Sequence, residues 1–255
     1  MVTSNSNVPD FLDVLRSERR DLLARLRATR FPVVKPGYSQ AQVVPHATYA
    51  PWLDDAPFMK VYEVISANTL VDIYRCYELT TLARQVASLP GDLVEVGVWR
   101  GGTAALLAHA VPEKNIALFD TFSGVAKADA AYDTLYKGGE HADTDRDIVT
   151  RLFDELGLRC AIHAGMFPDD TLDGLPGRIS LAHIDVDTYL SAKESFDVIW
   201  PRVVQGGMVV FDDYGFWGCE GVTQFVNEDC SGLADGVLIH NLNGHAVAIK
   251  TSKAN

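Results

Sequence analysis

The stretch GDLVEVGVWRGG, residues 91–102, sets the pattern that the rest of the chain extends. Residues 93–96 are a short apolar run of strand length, and Gly97 follows where a backbone must come close to a neighbour or a ligand. Gly101-Gly102 then opens a helical segment running to Ala110, with no Cβ obstructing its N-terminus. This is not GxGxxG, because Trp99 stands where the middle glycine would be. Bulk at that point argues against a pyrophosphate packed on the turn, and so against a dinucleotide.

Working outward, short apolar strands alternate with helical segments. Residues 116–119 are followed by a long loop and a helix over 146–157, and residues 160–163 by a further strand at 179–184. A helix over 191–204 and a strand over 208–211 continue the series. Continuous apolar strands between helices predict an α/β fold: a doubly wound, mostly parallel, Rossmann-like sheet covered on both faces. Residues 237–241 and 245–250 flank Asn243-Gly244, a hairpin signal, so an antiparallel pair closes the sheet. Upstream, residues 69–88 read as a helix stopped by Pro90-Gly91. Residues 10–30 read as a helix capped by Asp10, with arginines on its polar face. Residues 31–60 carry prolines among aromatics without a sustained period and read as an irregular arm or lid. The expected division is therefore an N-terminal helical arm over 1–68 and the α/β domain over 69–255.

Composition narrows the partners. The 255 residues are 47% apolar and carry 22 Lys plus Arg against 34 Asp plus Glu, a net charge of −12. Such a field repels phosphate backbones and anionic lipid, so neither nucleic acid nor a membrane is the expected partner. Cys76, Cys160, Cys219 and Cys230 have no CxxC spacing and read as reduced thiols. No secretory leader and no apolar run of about 20 residues stands out, so a cytoplasmic protein is expected. The apolar N-terminal helix makes a homo-oligomer a reasonable expectation.

In a doubly wound sheet, ligands bind beyond the carboxyl ends of the strands. Asp120 ends the strand 116–119, where an acidic side chain takes ribose hydroxyls in nucleoside-binding folds; a solvated strand-end acid is the plainer alternative. Asp185 and Asp187 follow one strand and Asp212-Asp213 another. Residues i and i+2 of an extended chain share a face, so Asp185 and Asp187 point into one space. Four acids at adjoining strand ends repel one another unless a cation joins them, and oxygen donors favour magnesium, manganese or calcium. On a straight strand Asp212 and Asp213 diverge, so joint ligation requires a turn, which Tyr214-Gly215 permits. His183 shares a face with Asp185 and reads as a core histidine with a partner. The loop 123–146 offers Tyr132, Tyr136 and His141 to the cleft.

The segments GDLVEVGVWRGG (91–102), LFDTFSGV (118–125), GMFPDDTL (165–172), HIDVDTYLSAKESFDVIWPRVVQGGMVVFDDY (183–214) and, more loosely, NTLVDIYRCYEL (68–79) resemble the macrocin-type sugar O-methyltransferases, which use S-adenosylmethionine and a metal ion. The resemblance implies a class I methyltransferase domain, with Glu95 and Gly97 at the methionine end of the cofactor and Asp120 and Ser123 at its ribose. It places Met166 and Phe167 against the adenine, Asp185, Asp212 and Asp213 on Mg2+ or Mn2+, and Asp187 as general base. The implied acceptor is a sugar hydroxyl of a glycosylated small natural product. A catechol acceptor, or a metal-dependent hydrolase using the same four acids, is the competing reading. Residues 1–60 carry none of the matching segments.

Overall fold

A computed structural model describes Val14 and residues 17–22 and 49–252. The chain divides into two compact units, Met1–Ala50 and Pro51–Asn255. Of the first, Val14 and residues 17–22 are helical. The remainder of the helix expected over 10–30, and the arm over 31–48, lie outside the described residues.

The second unit is built on a seven-stranded sheet of order β3-β2-β1-β4-β5-β7-β6. Its strands are β1 (Asp92–Val96), β2 (Ile116–Asp120), β3 (Ala161–Ala164), β4 (Ile179–Ile184), β5 (Val203–Phe211), β6 (Gly236–His240) and β7 (Ala246–Lys250). The first five are parallel, and β7 pairs antiparallel with both β5 and β6. The strand order reverses at β1, which places β1 and β4 side by side, with Val96 opposite Ile184 and Ile184 opposite Phe211. Residues just beyond those three positions therefore meet in one cleft.

The helices are α1 (Ala56–Ile65), α2 (Ile73–Gln85), α3 (Gly102–Ala110), α4 (Arg146–Leu156), α5 (Tyr189–Ile199) and α6 (Glu220–Phe225). Helix α3 packs with α1, α2 and α4, while α5 packs with α6 on the other face of the sheet. Asp72 caps α2 by accepting the Tyr74 and Arg75 N–H groups, and Asp145 caps α4 through Ile148 N–H.

Three segments differ from expectation. Residues 51–65 are helical rather than irregular: Pro51 begins a 3₁₀ turn (Pro51–Asp54), and Pro57 lies in the first turn of α1, behind its N-cap Asp55. These prolines occupy positions where no helical N–H is needed, so they start helices instead of breaking them. Both segments belong to the second unit. Helix α5 ends at Ile199, because the 3₁₀ turn Trp200–Arg202 carries Pro201 at its start, and Val203 is already paired with Ile179. Helix α6 was not legible, being six residues long with Gly221 inside it.

The core on the α5–α6 side is aromatic. Phe225 is fully buried, with ring centroids 5.8 Å from both Phe196 and Phe211. Truncating it leaves a cavity that rigid neighbours on the sheet cannot fill. Phe225→Ala is expected to cost about 3–5 kcal/mol and to lower the melting temperature by roughly 10 °C in a thermal denaturation followed by circular dichroism.

Candidate active site

The cleft over the carboxyl ends of β1, β2, β4 and β5 is lined on one side by Gly97, Val98, Asp120, Met166 and Phe167, and on the other by Asp185, Asp187, Asp212 and Asp213. Gly97 is required by contact rather than by flexibility alone. It has φ +83, and a Cβ built on it would lie 1.7 Å from the Asp185 carbonyl oxygen. The first turn thus abuts the strand end that carries the acids.

Asp120 builds that turn. Its Oδ2 accepts the Val98 and Trp99 N–H groups at 2.7 and 2.9 Å, and its Oδ1 accepts Phe122 N–H at 2.7 Å. A carboxylate has about four acceptor directions, so three backbone bonds leave room for one ligand hydroxyl. Trp99 adopts φ +47 and donates its indole N–H to Asp143 at 2.9 Å, while the Arg100 guanidinium stacks on its ring. The bulky side chain at the missing glycine position is thereby tied to the α4 side of the turn. Glu95 and Ser123 are not among the residues lining the cleft. Glu95 is fully buried, with Oε1 2.7 Å from His183 Nδ1, which gives His183 the partner expected of a core histidine.

Across the cleft, carboxylate oxygens of Asp185, Asp212 and Asp213 lie within 4.8 Å of one another. Asp213 takes φ +58, so the chain turns where β5 ends and both neighbouring acids face one space. Asp187, at φ +63, joins Asp213 and the Cys219 thiol in a second such group. The Tyr136 hydroxyl lies in the electrostatic surroundings of Asp187, and His141 Nε2 is 3.4 Å from the same hydroxyl. Both line the cleft, as the loop 123–146 was expected to provide, whereas Tyr132 stacks on Tyr189 and does not.

Two cations that sequence reasoning missed sit against these acids. Arg75 Nη1 donates to Asp212 Oδ1 at 2.7 Å and Asp213 Oδ1 at 3.0 Å. His245, fully buried, lies between Glu78 and Asp212, with Nδ1 2.7 Å from Glu78 Oε2 and Nε2 2.9 Å from Asp212 Oδ1. Burial disfavours the His245 imidazolium, but Asp212 and Glu78 outweigh it and raise its pKa to about 9. Burial alone would raise Asp212; His245 and Arg75 beside it hold its carboxyl well below the usual range. Asp185 and Asp213 go the other way, raised by burial and by neighbouring carboxylates, and Asp187 is pushed up to about 8 by burial and Asp213. Asp185, Asp187 and Asp213 therefore hold protons more readily than free carboxyls, because they are buried and Arg75 and His245 do not supply enough positive charge to ionise all four acids.

That shortage of positive charge is the test of whether an ion fits, since a dication displacing those protons would let all the acids ionise. Three close carboxylates short of positive charge suit one hard divalent cation, held by Asp185, Asp212 and Asp213. A nucleoside cofactor fits the opposite side, where Asp120 retains acceptor capacity and Met166 and Phe167 offer apolar surface.

The matching family profile is described as Macrocin-O-methyltransferase (TylF) and covers residues 55–231, from the N-cap of α1 past the end of α6. The chain belongs to this family. Among curated relatives, the 8-demethyl-8-(2,3-dimethoxy-alpha-L-rhamnosyl)-tetracenomycin-C 4'-O-methyltransferase of Streptomyces olivaceus is 33% identical over 170 residues, 60% of this chain and 65% of that protein. The demethyldecarbamoylnovobiocin O-methyltransferase of Streptomyces niveus is 30% identical over 168 residues, 58% of this chain and 63% of that one. The matched stretch thus spans less than two thirds of either relative. The solved structure of the O-methyltransferase NovP shares the fold, with a TM-score of 0.64 and 24% identity over 72% of this chain and 82% of that one. Among the described residues, no helix is long and apolar enough to cross a membrane.

The turn that links the two sides of the cleft depends on Asp120. Asp120→Ala leaves three backbone donors without their carboxylate, at a cost of about 3 kcal/mol or more. Melting of the ligand-free protein is expected to fall by roughly 6–10 °C, measured by differential scanning calorimetry.

Proposed function

We propose that this chain is an S-adenosylmethionine-dependent O-methyltransferase, assisted by Mg2+ or Mn2+, that methylates a sugar hydroxyl of a glycosylated small natural product. The observation that carries the reading is the single cleft that joins the Gly97–Asp120 turn to Asp185, Asp187, Asp212 and Asp213. Membership of the family supports the reaction class. The rhamnosyl group in the name of the Streptomyces olivaceus relative supports a glycosylated acceptor.

When bound, the cofactor supplies an electrophilic methyl on a sulfonium sulfur, and the ion acidifies an acceptor hydroxyl. The chain's own residues divide the remaining tasks. Asp120 holds the ribose end while it fixes the turn, and Met166 and Phe167 line the place of the base. Asp185, Asp212 and Asp213 would hold the ion beside the acceptor oxygen. Asp187 stands apart from Arg75 and accepts the hydroxyl proton at its carboxylate. Burial and Asp213 push its carboxyl up to about 8, so it serves as the base only in its ionised form. The Tyr136 hydroxyl lies near it.

S-adenosylhomocysteine is expected to raise the melting temperature of the protein. Methyl transfer from S-adenosylmethionine to a panel of glycosides is expected to stop with chelator and return with Mg2+. Preference for catechols in the same panel moves the acceptor to the phenolic class. Absence of any S-adenosylhomocysteine stabilisation rejects the cofactor assignment. Asp187→Asn is expected to lower turnover about a hundredfold or more while leaving stabilisation by S-adenosylhomocysteine intact; unchanged turnover removes Asp187 from the role of base.

A further inference from the structure

Arg75 is a buried side chain of α2, held on three sides. Its Nε donates to Asp72 Oδ2 at 3.0 Å, its Nη1 bridges Asp212 Oδ1 and Asp213 Oδ1, and the Phe216 ring lies 4.6 Å from its Cζ. Asp72 is fixed in turn as the N-cap of α2. A planar fork gripped in this way is not free to swing aside. Arg75 uses one oxygen of Asp212 and one of Asp213, and so shares the two carboxylates instead of enclosing them.

We infer that Arg75 is a built-in countercation of the acidic cluster: it holds Asp212 and Asp213 in position before an ion arrives, and by neutralising part of their charge it sets how tightly the site takes a divalent ion. The second half rests on the metal reading proposed above; the first does not.

The charge count supports this division. Asp185, Asp187, Asp212 and Asp213 crowd one end of the sheet, and breaking a buried ion pair by removing one partner leaves an uncompensated charge. Arg75 shares the task of compensating Asp212 with His245, and the two cations cannot balance four ionised carboxylates. A fixed positive charge beside the ion site also repels an arriving dication, so affinity is lower than the acids alone would give. Asp72 lies on the far side of the guanidinium and anchors it without joining the cluster.

The test uses the full chain, freed of metal by chelator, as wild type, Arg75→Met, Arg75→Lys and the double variant Arg75→Met/Asp213→Asn. Metal-free Arg75→Met is expected to melt about 10 °C below wild type. The double variant, which removes one charge of each sign, is expected to recover part of that loss. Arg75→Lys, which keeps the charge but loses the fork, is expected to fall between Arg75→Met and wild type. A double variant that melts no higher than Arg75→Met, or an Arg75→Lys protein that melts as low as Arg75→Met, overturns the countercation in favour of packing. In calorimetric titration with Mn2+, Arg75→Met is expected to bind about tenfold tighter than wild type. Equal or weaker binding overturns the control of affinity. No heat from Mn2+ with any of the proteins rejects the metal reading and the control of affinity with it, while the metal-free melts still decide the countercation.

Discussion

Four carboxylates are packed into the end of one parallel sheet, and the rest of the site is arranged around the repulsion among them. Burial raises the free energy of each ionised group, and proximity raises it further. The fold answers from two directions. Helix α2 brings Arg75 to Asp212 and Asp213, and His245, immediately before β7, also reaches Asp212. The antiparallel pair β6–β7 is thus more than a cover for the sheet edge, because it carries a buried histidine raised to about 9 into contact with the most shielded acid.

This arrangement separates residues of identical chemistry. Asp212, with two cationic neighbours, is held ionised, whereas Asp187 has Asp213 and a hydroxyl for neighbours and is pushed up to about 8. Such divergence in environment is how a set of like groups comes to contain both charge holders and a proton acceptor. Cys219 belongs to the same electrostatic region. Burial and the adjacent Asp213 and Asp187 push its thiol far up, so it remains a protonated, weak donor to Asp213 rather than a thiolate.

Much of this could be seen in the order of residues. The 93–96 run, the glycine turn and the continuous strands at 179–184 and 208–211 specify a parallel α/β sheet, and the acids at 185, 187, 212 and 213 follow two of those strands. Their convergence follows from strand adjacency, which the apolar pattern implies. Arg75 could not be found in this way. On a helix, an arginine three residues after an aspartate reads as a solvated pair, and the Asp72–Arg75 bond is indeed present. The extra contacts, to residues 137 and 138 positions away, depend on how α2 docks. His245 was hidden because the hairpin signal at Asn243-Gly244 accounts for its surroundings without reference to chemistry. Glu95, which the resemblance implies at the methionine end of the cofactor, is paired in this structure with His183 on the neighbouring strand.

Strand geometry alone would have scattered the acids. Alternate residues of an extended strand face opposite sides, so Asp212 and Asp213 share a space only because β5 stops at Phe211 and Asp213 adopts φ +58. Asp187 does the same after β4, at φ +63, and Trp99 after β1, at φ +47. A left-handed conformation outside glycine costs about 1–2 kcal/mol, less for aspartate, and it persists where surrounding bonds over-determine the backbone. Those bonds are present at each position. Asp120 grips the Trp99 N–H, Tyr214 N–H is bound to Gly244 O just beyond Asp213, and Thr188 N–H is bound to Val186 O around Asp187. Two strand ends are bent by contacts with neighbouring segments and the third by a local turn, and the common result is that side chains which a regular sheet would separate lie around a single cleft.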